Sequence, residues 1–292
     1  MLSQLAQPAV LAALPPCGRS LVFRLKPAID SRVVMARLAQ DYRIEWGAVG
    51  IGKTLAAALG HPIPGLQDFP AADTPAGRIP TTQGELWFML RGLDRAVVFD
   101  RSEQIRLLLE PAFTLKDAID TFAYGGRDLT GYVDGTENPK GRKRTSVALV
   151  AAGDLAGSSF VAVQRWVHDF AAFHRHSAAE KDDMIGRTLA TDEELENAPD
   201  SAHVKRSAQE NFDPEAFMYR RSMPWAEGCS QGLEFIAYGH SLDAFGQIMR
   251  RMSGQEDGIV DALFTFSKPT TGGYYWCPPV KDGSLDLSAL GL

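Results

Sequence analysis

One acidic residue in a glycine-rich segment is the first side chain of this sequence that could do chemistry. Residues 131–139 have the sequence GYVDGTENP, which places Asp134 between small residues. Small neighbours let a flat ligand approach the backbone closely while the carboxylate points at it. An Asp-Gly pair alone more often marks a turn, so this segment needs support from the rest of the chain.

A second segment, residues 47–54 (GAVGIGKT), matches the phosphate-binding pattern GxxxxGK(S/T). In such a loop the backbone N–H groups surround phosphates, the Lys neutralises them and the Thr hydroxyl holds magnesium. Residues 96–100 (AVVFD) resemble the strand that would bring an Asp to that metal. The mechanism requires a buried parallel strand directly before the loop, but residues 43–46 (RIEW) are short and half charged. We therefore favour a glycine-rich turn that leads into a helix over residues 54–59.

Histidines and cysteines are the remaining candidates for metal chemistry. The histidines are His61, His168, His174, His176, His203 and His240. A lone His is more often a structural residue than a ligand, and the charges around His174 and His176 favour a solvated turn over a metal pair. The three cysteines, at positions 17, 229 and 277, form no CxxC pair, which argues against a zinc ribbon or a dithiol redox site.

The composition is that of a globular chain with 292 residues, of which 45% are hydrophobic and 23% charged. This length suits one large domain or two modest ones. A net charge of −6, without a long Lys or Arg run, argues against a nucleic-acid surface. The few, separated cysteines fit a reducing compartment, and neither a signal peptide nor an 18-residue apolar run is visible. We therefore expect a cytoplasmic protein without a membrane partner.

Strand and helix patterns occur twice along the chain. In the first half, strands are predicted for residues 20–25, 85–91 and 96–99, and helices for residues 30–42, from Ser102 and from Thr114. In the second half, strands are predicted for residues 145–150, 159–163, 217–223 and 233–238, and helices from Ser177, Thr191 and Asp243. Because strands outnumber crossover helices, the pattern favours an antiparallel α+β fold with two related halves around a shared cleft.

The segment at residues 131–139 resembles the GxxDGxxNP signature of the dye-decolourising peroxidases. Other stretches resemble the same family, particularly its bacterial B-type members, in the family's order: residues 80–87 (PTTQGELW), 185–188 (IGRT), 202–204 (AHV), 220–224 (RRSMP) and 266–275 (FSKPTTGGYY). The family's fold is two ferredoxin-like halves with antiparallel sheets flanked by helices, and haem in the C-terminal half. The resemblance implies halves at residues 1–125 and 126–292 in one compact unit, with one non-covalent haem b per chain.

The resemblance also implies how the haem is held. Among the histidines, His203 alone lies in a segment similar to the family's proximal-ligand motif, so it is expected to bind the iron. Asp261 matches the family's position for the carboxylate that accepts a hydrogen bond from the other ring N–H and so makes the imidazole a stronger donor to the iron. The alternative interpretation of Asp261 is an ordinary residue on the surface of a helix. Arg187 resembles the family's propionate-binding Arg, whose guanidinium fork suits a carboxylate, with an ordinary surface Arg as the alternative.

On the opposite side of the haem, the resemblance implies an acid–base group and a positive charge for peroxide. Asp134 is the expected acid–base group, since an Asp is ordinarily ionised above about pH 4. Counting back from Met223, the expected Arg is Arg220, with Arg221 as the alternative. Strand alternation places Arg220 and Ser222 on one face and Arg221 on the other, and Ser222 matches a small polar position facing the distal pocket.

The expected function is therefore a haem-dependent peroxidase that reduces hydrogen peroxide and oxidises dyes, phenolics or similar bulky reductants through a high-valent iron intermediate. The alternative is a haem-binding protein for haem or iron handling, but the presence of both Asp134 and Arg220 favours catalysis. The resemblance further implies a homo-oligomer and makes an encapsulin shell a candidate partner. A packed C-terminus is favoured over a docking tail for residues 283–292.

Overall fold

In the computed structural model, which describes residues 2–292, strands dominate both halves of the chain and helices connect them. The strands are β1 (Cys17–Leu25), β2 (Gly47–Ile51), β3 (Ala72–Thr74), β4 (Gly77–Ile79), β5 (Leu86–Gly92), β6 (Phe113–Phe122), β7 (Ser159–His168), β8 (Tyr219–Arg220), β9 (Met223–Glu227), β10 (Ser230–Gly239), β11 (Ser267–Pro269), β12 (Gly273–Cys277), β13 (Val280–Lys281) and β14 (Ser284–Leu285). The helices are α1 (Pro8–Leu11), α2 (Arg32–Asp41), α3 (Lys53–Ala58), α4 (Arg95–Leu109), α5 (Gly141–Ala148), α6 (Phe170–His174), α7 (Ala178–Ile185), α8 (His203–Arg206) and α9 (Asp243–Met252).

A ten-stranded sheet with antiparallel pairings joins the two halves. Its order is β6-β1-β5-β2-β12-β7-β10-β8, with β11 added to β7 and β9 added to β10. The first four strands come from the N-terminal half, and β2 meets β12 of the C-terminal half at Ile51 and Trp276. The predicted antiparallel α+β fold class is confirmed. The predicted division at residues 125 and 126 falls in the loop after β6 and stays a prediction.

The sheet separates two hydrophobic cores. In β5, Leu86 and Phe88 belong to the larger core beneath the helices, whereas Trp87 and Met89 belong to a second core on the other face. This follows from the alternation of side chains along a strand. The edge strands β6 and β9 approach each other, and the Thr121 hydroxyl contacts the Met223 sulfur at 3.6 Å. The sheet therefore curls into a nearly closed barrel, and the second core fills its inside.

Three predictions in the first half, one strand and two helices, were wrong in position or type. Residues 96–99 are not a strand, and the helix does not begin at Ser102; both lie inside α4, whose first turn is capped by the Asp94 carboxylate accepting from the Val97 N–H at 2.9 Å. Residues from Thr114 form β6 instead of a helix, because they pair along their whole length with β1. A local capping pattern was overridden by strand pairing there.

The second half shows the same limits of local patterns. The predicted strands within β7 and β10 are confirmed, as are the capping box of Ser177 with Glu180 and the helix from Asp243. Residues 145–150 are not a strand, since most of them lie in α5. No helix begins at Thr191 in residues 2–292; the segment instead bridges Arg187 to Glu194 through a β-bridge.

The phosphate-binding pattern at residues 47–54 does not form a loop. Its first five residues are the fully buried strand β2, paired antiparallel with β5 along its length. The backbone groups that would surround phosphates are therefore engaged in the sheet. The expectation of a glycine-rich turn was wrong for these residues, but the argument against a nucleotide site agrees with the structure.

Candidate active site

A cavity that opens to solvent lies in the C-terminal half, with walls from strands β7 and β10 and helix α9. The wall is largely apolar, and α9 contributes Phe245, Ile248, Met249 and Met252 to it. The polar side chains that line it are those of Asp128, Thr130, Tyr132, Asp134, Gln164, His168, His203, Ser207, Arg220 and Ser267. The predicted residues Asp134, His203 and Arg220 are thus brought together in one cavity, although 86 residues of sequence separate the first from the last.

His203 is held at the start of the short helix α8 by a buried carboxylate. Its Nδ1 lies 2.8 Å from Asp261 Oδ2, and Asp261 is fully buried. The other oxygen of Asp261 accepts from the Leu263 N–H at 2.8 Å and caps a 3-10 helix, so Asp261 is not a helix-surface residue. With both oxygens accepting, the carboxylate selects the neutral tautomer that has its N–H on Nδ1, in which Nε2 carries the lone pair.

Nε2 of His203 has no hydrogen-bond partner among residues 2–292, and the imidazole lines the cavity. The other cavity histidine, His168, has both ring nitrogens engaged: Nδ1 with the Ser267 hydroxyl at 2.7 Å and Nε2 with Asp128 at 3.1 Å. His203 is therefore the cavity histidine with a nitrogen free to bind a metal.

Asp134 lies in the loop before α5, where its backbone N–H donates to the Gly126 carbonyl at 3.0 Å. Burial raises the pKa of its carboxyl group above the ordinary value of 3.8; the charge of Arg220 opposes this shift, and that of Asp128 adds to it. The expectation that Asp134 is ionised above about pH 4 without tuning is corrected by this shift. The carboxylate becomes a better proton acceptor at the cost of being protonated at higher pH.

Arg220 and Arg221 face opposite sides of the sheet. Arg220 lines the cavity, whereas Arg221 lines a separate pocket on the barrel side. This is the alternation predicted from the sequence, and it favours Arg220 as the cationic group of the cavity. Nε of Arg220 is buried without a hydrogen-bond partner among the described residues, so the guanidinium retains a donor.

The loop that carries Asp134 is fastened to the strand that carries Arg220. The Asn138 side chain accepts from the Arg220 N–H at 2.8 Å and donates to the Arg220 carbonyl at 2.9 Å. Gln209, which is buried, similarly donates to the Glu137 carbonyl at 3.1 Å and accepts from the Met218 N–H at 2.9 Å. These side-chain amides make the backbone hydrogen bonds that a neighbouring strand would otherwise make. They fix the position of the loop that carries Asp134 relative to Arg220. The sequence analysis did not identify this role for the Asn of the signature.

Two residues expected to contact the haem do not line the cavity. Ser222 is buried, and its hydroxyl accepts from the Ile236 N–H at 3.3 Å, so it supports strand β10 in this structure. Arg187 is bound by two acidic residues outside the cavity, Glu137 at 2.7 Å and Glu194 at 3.1 Å. A propionate would have to displace one of these carboxylates to use the Arg187 fork.

Three polar side chains of the cavity were missed by the sequence analysis as a group. Asp128 and His168 form a hydrogen-bonded pair, and the hydrogen bonds and charge of His168, together with bonds from Thr130, lower the pKa of Asp128 despite its burial. Gln164 is fully buried, and both atoms of its amide lack partners among residues 2–292. Gln164 and His168 are four residues apart in β7 and so share one face, but both lie beyond the predicted strand of residues 159–163.

The residues present fit a haem. The cavity offers a large apolar wall for a flat macrocycle, an imidazole nitrogen backed by a carboxylate, and a buried amide that has no partner among the described residues. Among the described residues no group of three or more His, Cys, Asp or Glu could hold a bare metal ion.

The C-terminal domain model of the Dyp-type peroxidases matches residues 125–282. The chain belongs to this family. A curated dye-decolorizing peroxidase from Mycolicibacterium paratuberculosis is 34% identical over 224 residues, which cover 74% of this chain and 63% of that protein. The matched region therefore spans less than two thirds of this relative's length.

Solved structures agree over almost the whole chain. A variant of DypB from Rhodococcus jostii RHA1, in complex with haem, is 26% identical with a TM-score of 0.86, covering 92% of this chain and 95% of that chain. The encapsulated DyP-type peroxidase from Mycobacterium smegmatis is 27% identical with a TM-score of 0.83, covering 94% of this chain and 96% of that chain. The fit to the Rhodococcus protein agrees with the predicted B-type subfamily.

Proposed function

We propose that this protein is a haem-dependent peroxidase that reduces hydrogen peroxide and oxidises dyes, phenolics or similar bulky reductants. The observation that carries this proposal is the arrangement of His203. Its Nε2 is free, its Nδ1 is fixed by the buried Asp261, and it shares one cavity with Asp134 and Arg220. Haem held by His203 would supply the redox-active iron at which peroxide is cleaved.

The protein side chains supply the proton transfers and charge stabilisation. The Asp134 carboxylate accepts the proton that peroxide must lose and can return it to the departing oxygen. The Arg220 guanidinium stabilises the negative charge that develops on the oxygens. Asp261 holds the imidazole in the tautomer that binds metal through Nε2. Arg187 and Ser222 have no direct role in this proposal, because the carboxylates and backbone groups described above occupy them.

The alternative, a haem-binding protein for haem or iron handling, shares the His203 site but has no need of the other two groups. The Asn138 side chain fastens the loop that carries Asp134 to the backbone of Arg220, which favours a catalytic role for the pair. Steady-state peroxide turnover separates the two functions, since a carrier would bind haem without sustained turnover.

The test of the haem site is the variant His203→Ala. Wild-type protein titrated with haem should develop a Soret band, and the variant should lose tight binding or show the spectrum of a different axial ligand. An unchanged Soret band together with full peroxidase activity in the variant would rule out His203 as the ligand. His174→Ala is the matched control, because His174 lies on α6 and does not line the cavity.

We further propose that the protein is a cytoplasmic homo-oligomer and that an encapsulin shell is a candidate partner. The encapsulated Mycobacterium smegmatis relative supports the last point. No helix within residues 2–292 has the length and apolar character needed to cross a membrane. Leu287 and Leu290 are buried, in agreement with a packed C-terminus, so docking through residues 283–292 would require their release.

A further inference from the structure

A second, smaller pocket, open to solvent, lies at the barrel end beneath the N-terminal segment, on the opposite face of the sheet from the large cavity. Arg91 and Arg221 contribute its charged groups. They face the inside of the barrel because side chains alternate between the two faces of a strand. Arg91 follows Met89 by two residues, Arg221 precedes Met223 by two, and both methionines belong to the core inside the barrel. The rest of the lining is mostly apolar: Ala9, Leu14, Ala48, Met89, Ile236 and Tyr238 are among these residues.

These arginines have no counter-charge in the described structure. Within residues 2–292, no carboxylate lies in ion-pair distance of Arg91, Arg221 or the neighbouring Arg144. Arg91 donates to the Ala13 carbonyl at 2.9 Å, and Nη1 of Arg221 makes only a long contact of 3.4 Å to the Tyr219 hydroxyl. Nη2 of Arg221 is buried and has no hydrogen-bond partner among the described residues. Burial, together with the charges of Arg91 and Arg144, lowers the pKa of Arg221.

Two other enclosed arginines of the same chain are neutralised. Arg165 binds Asp117 at 2.6 Å and Glu234 at 3.1 Å, and Arg206 binds Asp257 through both of its terminal nitrogens at 2.7 Å. A desolvated guanidinium without an anion is costly. The chain carries an excess of acidic residues, with a net charge of −6, yet places none of them at this pocket.

We propose that this pocket binds a small organic carboxylate, with Arg221 and Arg91 binding the carboxylate group. A guanidinium matches a carboxylate through paired N–H donors, and the buried Nη2 of Arg221 is such a donor. The apolar lining suits the hydrocarbon part of an organic acid and would leave most oxygens of a free phosphate without donors. The site is separate from the proposed haem cavity, so this proposal can be tested independently of the peroxidase proposal.

The test is titration of the purified protein with benzoate in low-salt buffer, followed by calorimetry and by thermal melting. At about 100-fold excess over the dissociation constant, ligand binding should raise the melting temperature of a chain of this length by roughly 4 °C. Benzamide, which is neutral and similar in shape, should give no rise. An unchanged Soret spectrum during the titration, and retained binding in His203→Ala, would place the benzoate outside the haem cavity.

Variants identify the binding groups. Arg221→Gln should weaken benzoate binding by about 10-fold or more, since it removes a charge-assisted hydrogen bond. Without ligand it should melt no lower than the wild type, because it removes an unpaired buried charge. Arg91→Gln is the second variant, and Arg78→Gln is the matched control because Arg78 is exposed, does not line the pocket and lies in the separate two-stranded sheet of β3 and β4.

The proposal is overturned if the wild type shows no benzoate binding, or if Arg221→Gln and Arg91→Gln both bind it with unchanged affinity. Binding of inorganic phosphate without binding of benzoate would likewise contradict the assignment to organic carboxylates. A change of oligomeric mass in Arg221→Gln, with no benzoate binding by the wild type, would show that a second copy of the chain covers these arginines instead.

Discussion

Replacing Asp261 by Asn should break the proposed iron site without changing its shape. Both oxygens of Asp261 act as acceptors, Oδ2 from His203 Nδ1–H and Oδ1 from the Leu263 N–H. An amide has only one acceptor oxygen and a donor NH2 in the other position. If the NH2 group faces His203, Nδ1 must accept and the proton moves to Nε2, where it blocks metal binding. If the NH2 group faces Leu263 instead, it opposes the Leu263 N–H, and two buried donors then face each other without an acceptor.

The magnitude follows from these two arrangements. One unsatisfied buried donor costs about 1–3 kcal/mol, which the fully buried position of Asp261 makes applicable here. With an unfolding entropy of about 2.1 cal/mol/K per residue, that corresponds to a fall of roughly 2–5 °C in the melting temperature of the haem-free protein. Loss of the partner of a metal-binding His typically weakens metal affinity by about 10- to 100-fold, and we expect the same range for haem.

The assay combines haem titration, followed by the Soret band, with thermal melting of the haem-free protein. Asp200→Asn is the matched control, because Asp200 precedes α8 closely in sequence but is exposed and pairs only with Lys205. Asp261→Glu tests geometry with the charge retained. If Asp261→Asn binds haem as tightly as the wild type, with the same spectrum and melting temperature, then the bond between Asp261 and His203 does not control the ligand and the reasoning fails.

Five further variants, at four positions, test the other side of the cavity, each followed by stopped-flow decay of the Soret band on mixing with hydrogen peroxide. Arg220→Leu should slow this reaction by about 100-fold or more, whereas Arg221→Leu should slow it less, since only Arg220 lines the cavity; the reverse ranking would contradict the strand register. Asp134→Asn should bind haem but react about 100- to 10,000-fold more slowly, less if solvent replaces the carboxylate. Because burial raises the pKa of Asp134, the rate of the wild type should fall as the pH drops through a value above 3.8. The rate of Asp134→Asn should show no such fall. Identical pH profiles for the two proteins would make Asp134 a structural residue of its turn. Asn138→Ala should bind haem normally but react with peroxide more slowly, because Arg220 moves. Asn138→Asp keeps one of the two hydrogen bonds to the Arg220 backbone, so its rate should lie between those of Asn138→Ala and the wild type. Equal rates in the wild type and both variants would show that the amide bonds to Arg220 do not position it.

The sequence by itself indicated the family, the α+β class and the residues with the most specific motifs. Asp134, His203 and Arg220 lie in short segments whose residue types are set by local requirements, such as small residues beside an acid. Their roles could be proposed from the resemblance of these segments to the family's motifs, without knowing how the chain folds. Alternation along one strand also separated Arg220 from Arg221 correctly, because the two-residue period of a strand is a local property of the backbone.

Local patterns failed where the partner strand or the neighbouring layer decides the outcome. The Thr114 capping pattern became strand β6 because pairing with β1 satisfies its backbone, and residues 47–51 became a buried strand despite a nucleotide-binding pattern. Propensity contributes a few tenths of a kcal/mol per residue, which is less than the pairing and burial that a whole strand gains.

Only the tertiary structure decided how the site is assembled and which charges are left unpaired. The Asn138 side chain meets Arg220 across 82 residues, and His203 meets Asp261 across 58. The sequence could not show that Arg187 is held by acidic neighbours while Arg221 has none, since both are arginines in similarly polar segments. The pairing of a charge depends on which groups the fold brings within a few ångströms, and a linear sequence does not carry that information in its local pattern.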